Sequence, residues 1–203
     1  MSQVVSVLNT MIERRIVLTG LVATLATPAL AQNPPGGTSD VETQHIKRTA
    51  AVGSLSLAVS RIAVKRATNP RLKEFAQFEV AEQETVANVL KSLENPSNVS
   101  GAIEAPSDAE VRQNLDQQGQ QALRQMESAR GGAVFDRDYL RAELEGHRQL
   151  LQIQEDYLKI GKRLPDVITA TLARGMIKEH LQLLADIENQ TNFGTTGTGT
   201  FRH

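Results

Sequence analysis

The sequence contains no cysteine and no tryptophan, and aromatic residues make up only 3% of it. Without cysteine the chain has no disulfide, no thiolate nucleophile and no cysteine-ligated zinc. Basic and acidic residues nearly balance, 22 against 23, so the excess of positive charge that is typical of nucleic-acid-binding proteins is missing. We therefore expect no nucleic-acid partner and a fold stabilised by packing alone.

Motifs that identify common enzyme classes are also missing. The chain has no Gly-rich phosphate loop, no His-Glu-x-x-His and no Gly-x-Ser-x-Gly. Phosphoryl transfer, zincin proteolysis and serine hydrolysis are left without support, and we predict no catalytic residues. Ala, Leu, Gln and Glu are plentiful, and these residue types favour helix over sheet. The composition and the length of 203 residues predict one all-α domain.

The first 31 residues have the pattern of an export signal. Arg14 and Arg15 precede an uncharged run, 16–31, whose last three residues have the small-x-small pattern that signal peptidase recognises. The run is shorter than the roughly 20 residues that a membrane-spanning helix needs. We predict a signal peptide over residues 1–31, cleaved after Ala31, and a periplasmic or secreted protein with no transmembrane span after cleavage.

The route of export stays open between general secretion and the twin-arginine pathway. Arg14 and Arg15, with the apolar residues that follow them, resemble a twin-arginine signal. Glu13 and Thr19 differ from the residues that are usual at their positions in such signals. Met11 is a second candidate start, because it would place the two arginines near the beginning of the polypeptide, as a short charged region requires.

Residues 32–40 are rich in Pro and Gly and predict a flexible linker. Helical periodicity then predicts a bundle domain over 41–190. We expect its five helices at 41–68, 70–94, 107–130, 136–161 and 165–190. Residues 191–203 lack enough apolar surface to offset the entropy of ordering, and we predict a disordered tail.

Residues with strong preferences for helix ends set these limits. Asn69 before Pro70 is a helix start, and Ser107 with Glu110 forms a capping box. Gly131-Gly132 is expected to end the third helix, and Asp136 to cap the fourth. Short links within each pair of long helices predict two antiparallel hairpins joined by a crossover helix. This is a ferritin-like four-helix bundle with an additional helix.

Polar residues fall where the apolar stripes of three helices point inward. Glu79 and Gln83 interrupt the stripe of the second helix, His147 lies between leucines of the fourth, and His180 between apolar residues of the fifth. Burying such groups costs several kcal/mol unless they are paired or ligate a metal. One hypothesis is therefore a centre for a divalent transition metal (iron, manganese or zinc) with Glu79, Glu82, His147 and His180 as ligands and Glu143 as orienting partner.

A hydrogen-bonded network is the alternative, in which Glu79, Gln83, His147 and Gln154 satisfy one another and bind nothing. The Glu-x-x-His spacing of di-iron bundles occurs once, at Glu42 to His45. It lies near one end of the expected bundle, and we interpret it as a coincidence.

Several short motifs resemble those of a bacterial family of exported proteins, known as a domain of unknown function and often labelled predicted outer-membrane protein with a ferritin-like bundle. The matching residues are Gly53-Ser54-Leu55, Ser60-Arg61-Ile62-Ala63, Phe75-Ala76, Glu79, Glu82-Gln83, Phe135-Asp136, Tyr139-Leu140, His147 and His180-Leu181. The resemblance covers roughly residues 41–190 and implies a fold but no reaction. Family members commonly carry an acidic residue near Ser56 or Leu57, and an Asp-His pair where this chain has Glu82-Gln83.

Two functions follow as hypotheses from these observations. The first is a non-enzymatic periplasmic module for envelope or stress functions that acts through an envelope protein partner, because no catalytic motif is present. The second is a metal-binding bundle, because Glu and His residues point inward on three helices. The oligomeric state cannot be read from the sequence.

Overall fold

The computed structural model describes residues 39–99 and 101–193, and all regular structure in these ranges is helical. The α-helices are α1 (Asp40–Arg66), α2 (Pro70–Glu94), α3 (Asp108–Gln113), α4 (Gln117–Ser128), α5 (Ala133–Ile160) and α6 (Leu164–Phe193), with a 3-10 helix (Pro96–Asn98) after α2. The all-α prediction is confirmed. Within the described residues, no helix combines the length and the hydropathy that crossing a membrane requires.

The predicted signal peptide of residues 1–31 lies outside the described residues, as do residues 32–38 of the predicted linker and 194–203 of the predicted tail. At both ends the helical domain is slightly longer than predicted. Ser39 and Glu42 form a capping box, so α1 begins at Asp40, and α6 continues to Phe193. Residues 191–193, which we predicted to be tail, are therefore helical.

Side-chain hydrogen bonds show the directions of the long helices. Ser56 in α1 contacts Glu143 in α5, and Ser60, one turn later in α1, contacts Tyr139, one turn earlier in α5. The two helices are therefore antiparallel. The short link of residues 67–69 also makes α1 and α2 antiparallel, so α2 and α5 run in the same direction. The chain between α2 and α5 must consequently travel back along the bundle.

This return is made by α3 and α4, which pack against α1. Arg61 of α1 forms an ion pair with Asp108 at the start of α3, with 2.7 Å between Nη1 and Oδ1. Arg66 donates to the carbonyl oxygens of Met126, Glu127 and Ala129, where α4 has no further helical amides to bind them. The two arginines thus bind both ends of the crossover to α1.

The prediction of a single helix over 107–130 is wrong, because the chain turns between α3 and α4. Leu115 in the turn is buried, with 5% of its surface exposed. The Asp116 side chain then accepts a hydrogen bond from the Gly119 amide at 2.7 Å and starts a new helix. The cap and the buried leucine together outweigh continuation of a helix rich in glutamine.

The predicted roles of Gly131-Gly132 and Asp136 are also wrong. The helix that precedes the glycines ends at Ser128, and Gly132, with φ of 72°, is the residue before α5. Asp136 lies inside the first turn of α5, where its carboxylate accepts hydrogen bonds from the backbone amides of Thr68 and Asn69 at 2.9 and 2.8 Å. It therefore holds the link between α1 and α2 instead of capping its own helix.

Candidate metal centre

A layer of polar side chains crosses the core between the four long helices. α2 contributes Glu79, α5 contributes Glu143 and His147, and α6 contributes His180. Glu79 has none of its surface exposed, Glu143 and His147 have 1%, and His180 has 7%. The stripes correctly predicted that Glu79, His147 and His180 point inward, and the structure brings these three together with Glu143.

Three ligand atoms converge in this layer. The Oε2 atom of Glu79 lies 3.1 Å from Nδ1 of His180 and 3.4 Å from Nε2 of His147, and the two ring nitrogens are 3.0 Å apart. Atoms that each lie about 2.1 Å from one ion, at angles of about 90° to 110°, are separated by roughly 3.0–3.4 Å. The three atoms therefore already have the spacing of neighbouring ligands around a transition metal.

The second nitrogen of each imidazole faces an acceptor on the side away from Glu79. Nδ1 of His147 donates to the carbonyl oxygen of Glu143 at 2.8 Å, since a carbonyl only accepts. Nε2 of His180 lies 2.8 Å from Oε2 of Glu82, which favours a proton on that nitrogen. When each ring is neutral, the nitrogen that faces Glu79 then carries no proton, as in metal-bound histidines whose tautomer is set by an outer partner.

Burial and charge shift the ionisation of the centre strongly. Burial would raise the pKa of Glu79, but the two histidines outweigh it and hold that pKa well below its ordinary value. Burial would lower the pKa of His180, yet Glu79 and Glu82 raise it to about 10. Burial likewise opposes a raised pKa for His147, and the contact with Glu79 again outweighs it. A positive charge is therefore favoured between these groups, whether a proton or a metal ion carries it.

Two serines of α1 extend the layer behind Glu79. Ser56 Oγ lies 2.6 Å from Oε1 of Glu79 and 2.8 Å from Oε2 of Glu143, and Ser60 contacts Glu143 and the Tyr139 hydroxyl. Burial, followed by the negative charge of Glu79, raises the pKa of Glu143 to about 7. A hydroxyl has a single proton to donate, so both Ser56 contacts are satisfied when Glu143 is protonated and Ser56 donates to Glu79.

The predicted network is present in part. Gln83 donates from Nε2 to Oε1 of Glu79 at 2.9 Å, as expected. Gln154, however, does not join His147. Its carboxamide contacts Nε2 of His45 at 2.7 Å and donates to Thr49 at 3.1 Å. The prediction that Gln154 belongs to the network of Glu79, Gln83 and His147 is therefore wrong.

Glu42 and His45 belong to this second polar layer, nearer the start of α1. Glu42 accepts a hydrogen bond from the Tyr157 hydroxyl at 3.3 Å, and the His45 ring stacks on the Tyr157 ring with 3.9 Å between centroids. Among the described residues, the three groups that could hold one ion are Glu79, His147 and His180. The Glu-x-x-His spacing at 42–45 thus adds no ligand to the centre.

Three residues of the layer, Ser56, Ser60 and Tyr139, were not predicted to have a role in it. The serines are one turn apart on α1, and their line continues back through Gly53 and Thr49. The sequence signal for this buried polar face was a line of small or polar residues at helical spacing. It is easily missed when only apolar residues are used to identify a buried helix face.

Comparisons with known proteins place this architecture in a family. No curated protein matches the chain, and no solved structure matches it. A family described as a domain of unknown function, DUF4142, matches residues 27–187, a range that includes Glu79, His147 and His180. The chain belongs to this family, the domain of unknown function DUF4142.

Proposed function

We propose that this protein binds one divalent transition-metal ion, of iron, manganese or zinc, through Glu79, His147 and His180. The observation that supports the proposal is the convergence of three buried ligand atoms at 3.0–3.4 Å, with the far nitrogen of each histidine facing an acceptor. Apart from these two imidazoles, no described residue donates a hydrogen bond to Oε2 of Glu79. A buried carboxylate oxygen in this state is stabilised by a cation.

The neighbouring carboxylates have different parts in the proposal. Glu82 orients His180 from the partly exposed side of the centre, and the backbone of Glu143 orients His147. The Glu143 side chain contacts Ser56 and Ser60, and its Oε2 lies 3.4 Å from Nδ1 of His147, the nitrogen of that ring that does not face Glu79. One carboxylate and two imidazoles suit a single ion with open positions for water or another ligand. Two antiparallel hairpins with a crossover, the ferritin-like arrangement, commonly hold such ions in the bundle core.

The test is the metal content of residues 32–203, purified without chelators and without a histidine tag. We expect close to one equivalent of iron, manganese or zinc per chain by elemental analysis. After removal, the same ion should be taken up again and raise the thermal midpoint, because it binds the folded chain alone. A chain that carries no metal, and whose midpoint does not respond to any of the three ions, would contradict the proposal.

We also propose that the bundle is exported and begins at Gln32 after cleavage. The support is the charged pair Arg14-Arg15, the uncharged run after it and the small-x-small sequence before Gln32. Expression from the full gene in a bacterium should yield a periplasmic chain whose N-terminal residue is Gln32, measured by intact mass. Replacement of both arginines with lysine should block export only if the twin-arginine route is used. Recovery of an uncleaved cytoplasmic chain would refute export.

A further inference from the structure

A cleft of about 550 Å³ lies between α1, α2 and the α3 region, on the opposite side of Gln83 from Glu79. Its apolar lining includes Ile46, Ala50, Leu57, Val86 and Leu90. The volume falls in the range of about 300–1,000 Å³ that is usual for small-molecule sites. None of the three candidate ligands, Glu79, His147 and His180, lines the cleft.

The inner end of the cleft contains a free hydrogen-bond acceptor. A carboxylate only accepts, so the amide nitrogen of Gln83 must face Glu79, and the oxygen Oε1 faces the other way. Oε1 lies against Gly53, where a Cβ atom would come within 2.6 Å of it. No described residue donates a hydrogen bond to Oε1. The absence of a side chain at Gly53 thus leaves room for this polar atom at the edge of an apolar cleft.

The charges at the rim argue against a charged ligand. Lys47 and Lys91 are opposed there by Glu94, Glu110 and Asp116; Lys91 is paired with Glu110 at 3.2 Å, and the Asp116 carboxylate accepts a hydrogen bond from the Gly119 amide. An anionic ligand would need an excess of positive charge, and a cationic ligand an excess of negative charge. The ion pair of Lys91 and the cap formed by Asp116 leave one lysine against one glutamate, so the rim has no free excess of either charge. Together with the apolar lining and the acceptor at Gln83, this favours a neutral ligand.

We infer that the cleft binds an uncharged, mostly apolar small molecule with a hydroxyl or N–H group that donates to Oε1 of Gln83. The apolar body packs between α1 and α2, and the donor pairs with an oxygen that has no donor in the described chain. Because Gln83 also donates to Glu79, the bound molecule lies one side chain away from the candidate metal centre.

Phenol and toluene test this inference, since they share a ring and differ in the donor. Each is titrated into the metal-free mature protein while backbone amide shifts are followed by NMR. Phenol should shift amides in 46–57 and 83–91, and Gln83→Met should weaken phenol about 3- to 10-fold while leaving toluene unchanged. Equal responses of the two ligands to Gln83→Met, or shifts centred on α5 and α6, would overturn the inference.

A second pair of variants tests the location without altering the hydrogen bond. Ala50→Phe fills the cleft and should abolish phenol binding, whereas Ala81→Phe, on the exposed side of α2, should leave it unchanged. Binding of phenol that survives Ala50→Phe would also overturn the inference. Metal uptake by Ala50→Phe is measured in parallel, so a failure of the cleft and a failure of the metal centre give different results.

Discussion

Replacing both His147 and His180 with alanine is expected to abolish metal binding by the mature protein. The double variant keeps a single ligand, Glu79, and a lone carboxylate holds a transition metal only weakly. Loss of an orienting partner alone typically costs roughly 10- to 100-fold in affinity, and loss of a ligand should cost more. We therefore expect the metal affinity of each single variant to fall by at least about 100-fold. Competition with a chelator of known affinity measures this loss.

His45→Ala is the matched control for this experiment. His45 is also a buried histidine, with 3% of its surface exposed, but it contacts Gln154 and Tyr157 in the other polar layer. Its replacement should lower the thermal midpoint and leave metal affinity within about twofold, on the expectation that separated sites act independently. Equal losses of affinity in His45→Ala and His180→Ala would show that binding reflects general stability and not ligation.

Glu82→Gln should give an intermediate result. Glu82 is partly exposed and contacts the outer nitrogen of His180, so the variant should fold normally. The glutamine amide keeps an acceptor for the His180 ring but loses the negative charge that makes the ring a stronger ligand. Metal affinity should therefore fall about 10-fold, the lower end of the range for the loss of an orienting partner. An unchanged affinity would remove Glu82 from the proposed centre.

The metal-free protein is expected to be most stable in mildly acidic solution, near pH 5. The pKa of Glu79 is held below its ordinary value of 4.5, so its contribution is present above that pH and is lost on further acidification. The pKa of Glu143 rises from 4.5 to about 7, so its contribution is full below 4.5 and is lost as the pH rises through 7. The pKa of His180 rises from 6.5 to about 10, and its contribution is lost over that higher range.

Urea unfolding of the metal-free protein between pH 4 and pH 10 measures these contributions. The rise in the Glu143 pKa corresponds to a loss of roughly 3 kcal/mol in the free energy of unfolding between pH 4.5 and pH 7. Glu143→Gln cannot ionise, and it should remove the decline over this range while keeping the decline above pH 7 that His147 and His180 cause. A decline of the same size below pH 7 in Glu143→Gln would disprove the assignment.

The hairpins were predictable because local chemistry sets their ends. Asn69 accepts hydrogen bonds from the amides of Arg71 and Leu72, and Pro70 occupies the first helical position, so α2 begins where the sequence indicates. The inward positions of Glu79, His147 and His180 were also predictable, because apolar residues one turn away on each helix mark the buried face.

The inward face of α1 was not predictable in the same way. The line that faces the two polar layers consists of His45, Thr49, Gly53, Ser56 and Ser60, none of which is a large apolar residue. Apolar periodicity follows the neighbouring line through Ile46, Ala50 and Leu57 instead. The buried polar residues of this line form hydrogen bonds with α2 and α5. Because these helices are distant in sequence, only the folded chain shows these partners.

Tertiary partners also explain the errors around the crossover. Asp136 has the residue type of a helix cap, but the free amides of Thr68 and Asn69, which are more than 60 positions earlier in the chain, compete for its carboxylate. A sequence pattern records which hydrogen bonds a side chain can form. It does not record which donor will be nearest after folding.

The crossover divides the chain into two hairpins, and the candidate centre takes Glu79 from the first and both histidines from the second. Neither half alone supplies all three ligands. A bound ion would therefore link the two hairpins. Part of its binding free energy would stabilise the packing of one hairpin against the other. In a protein without cysteine, such an ion would be a reversible cross-link, formed when the ion is supplied and lost when it is removed.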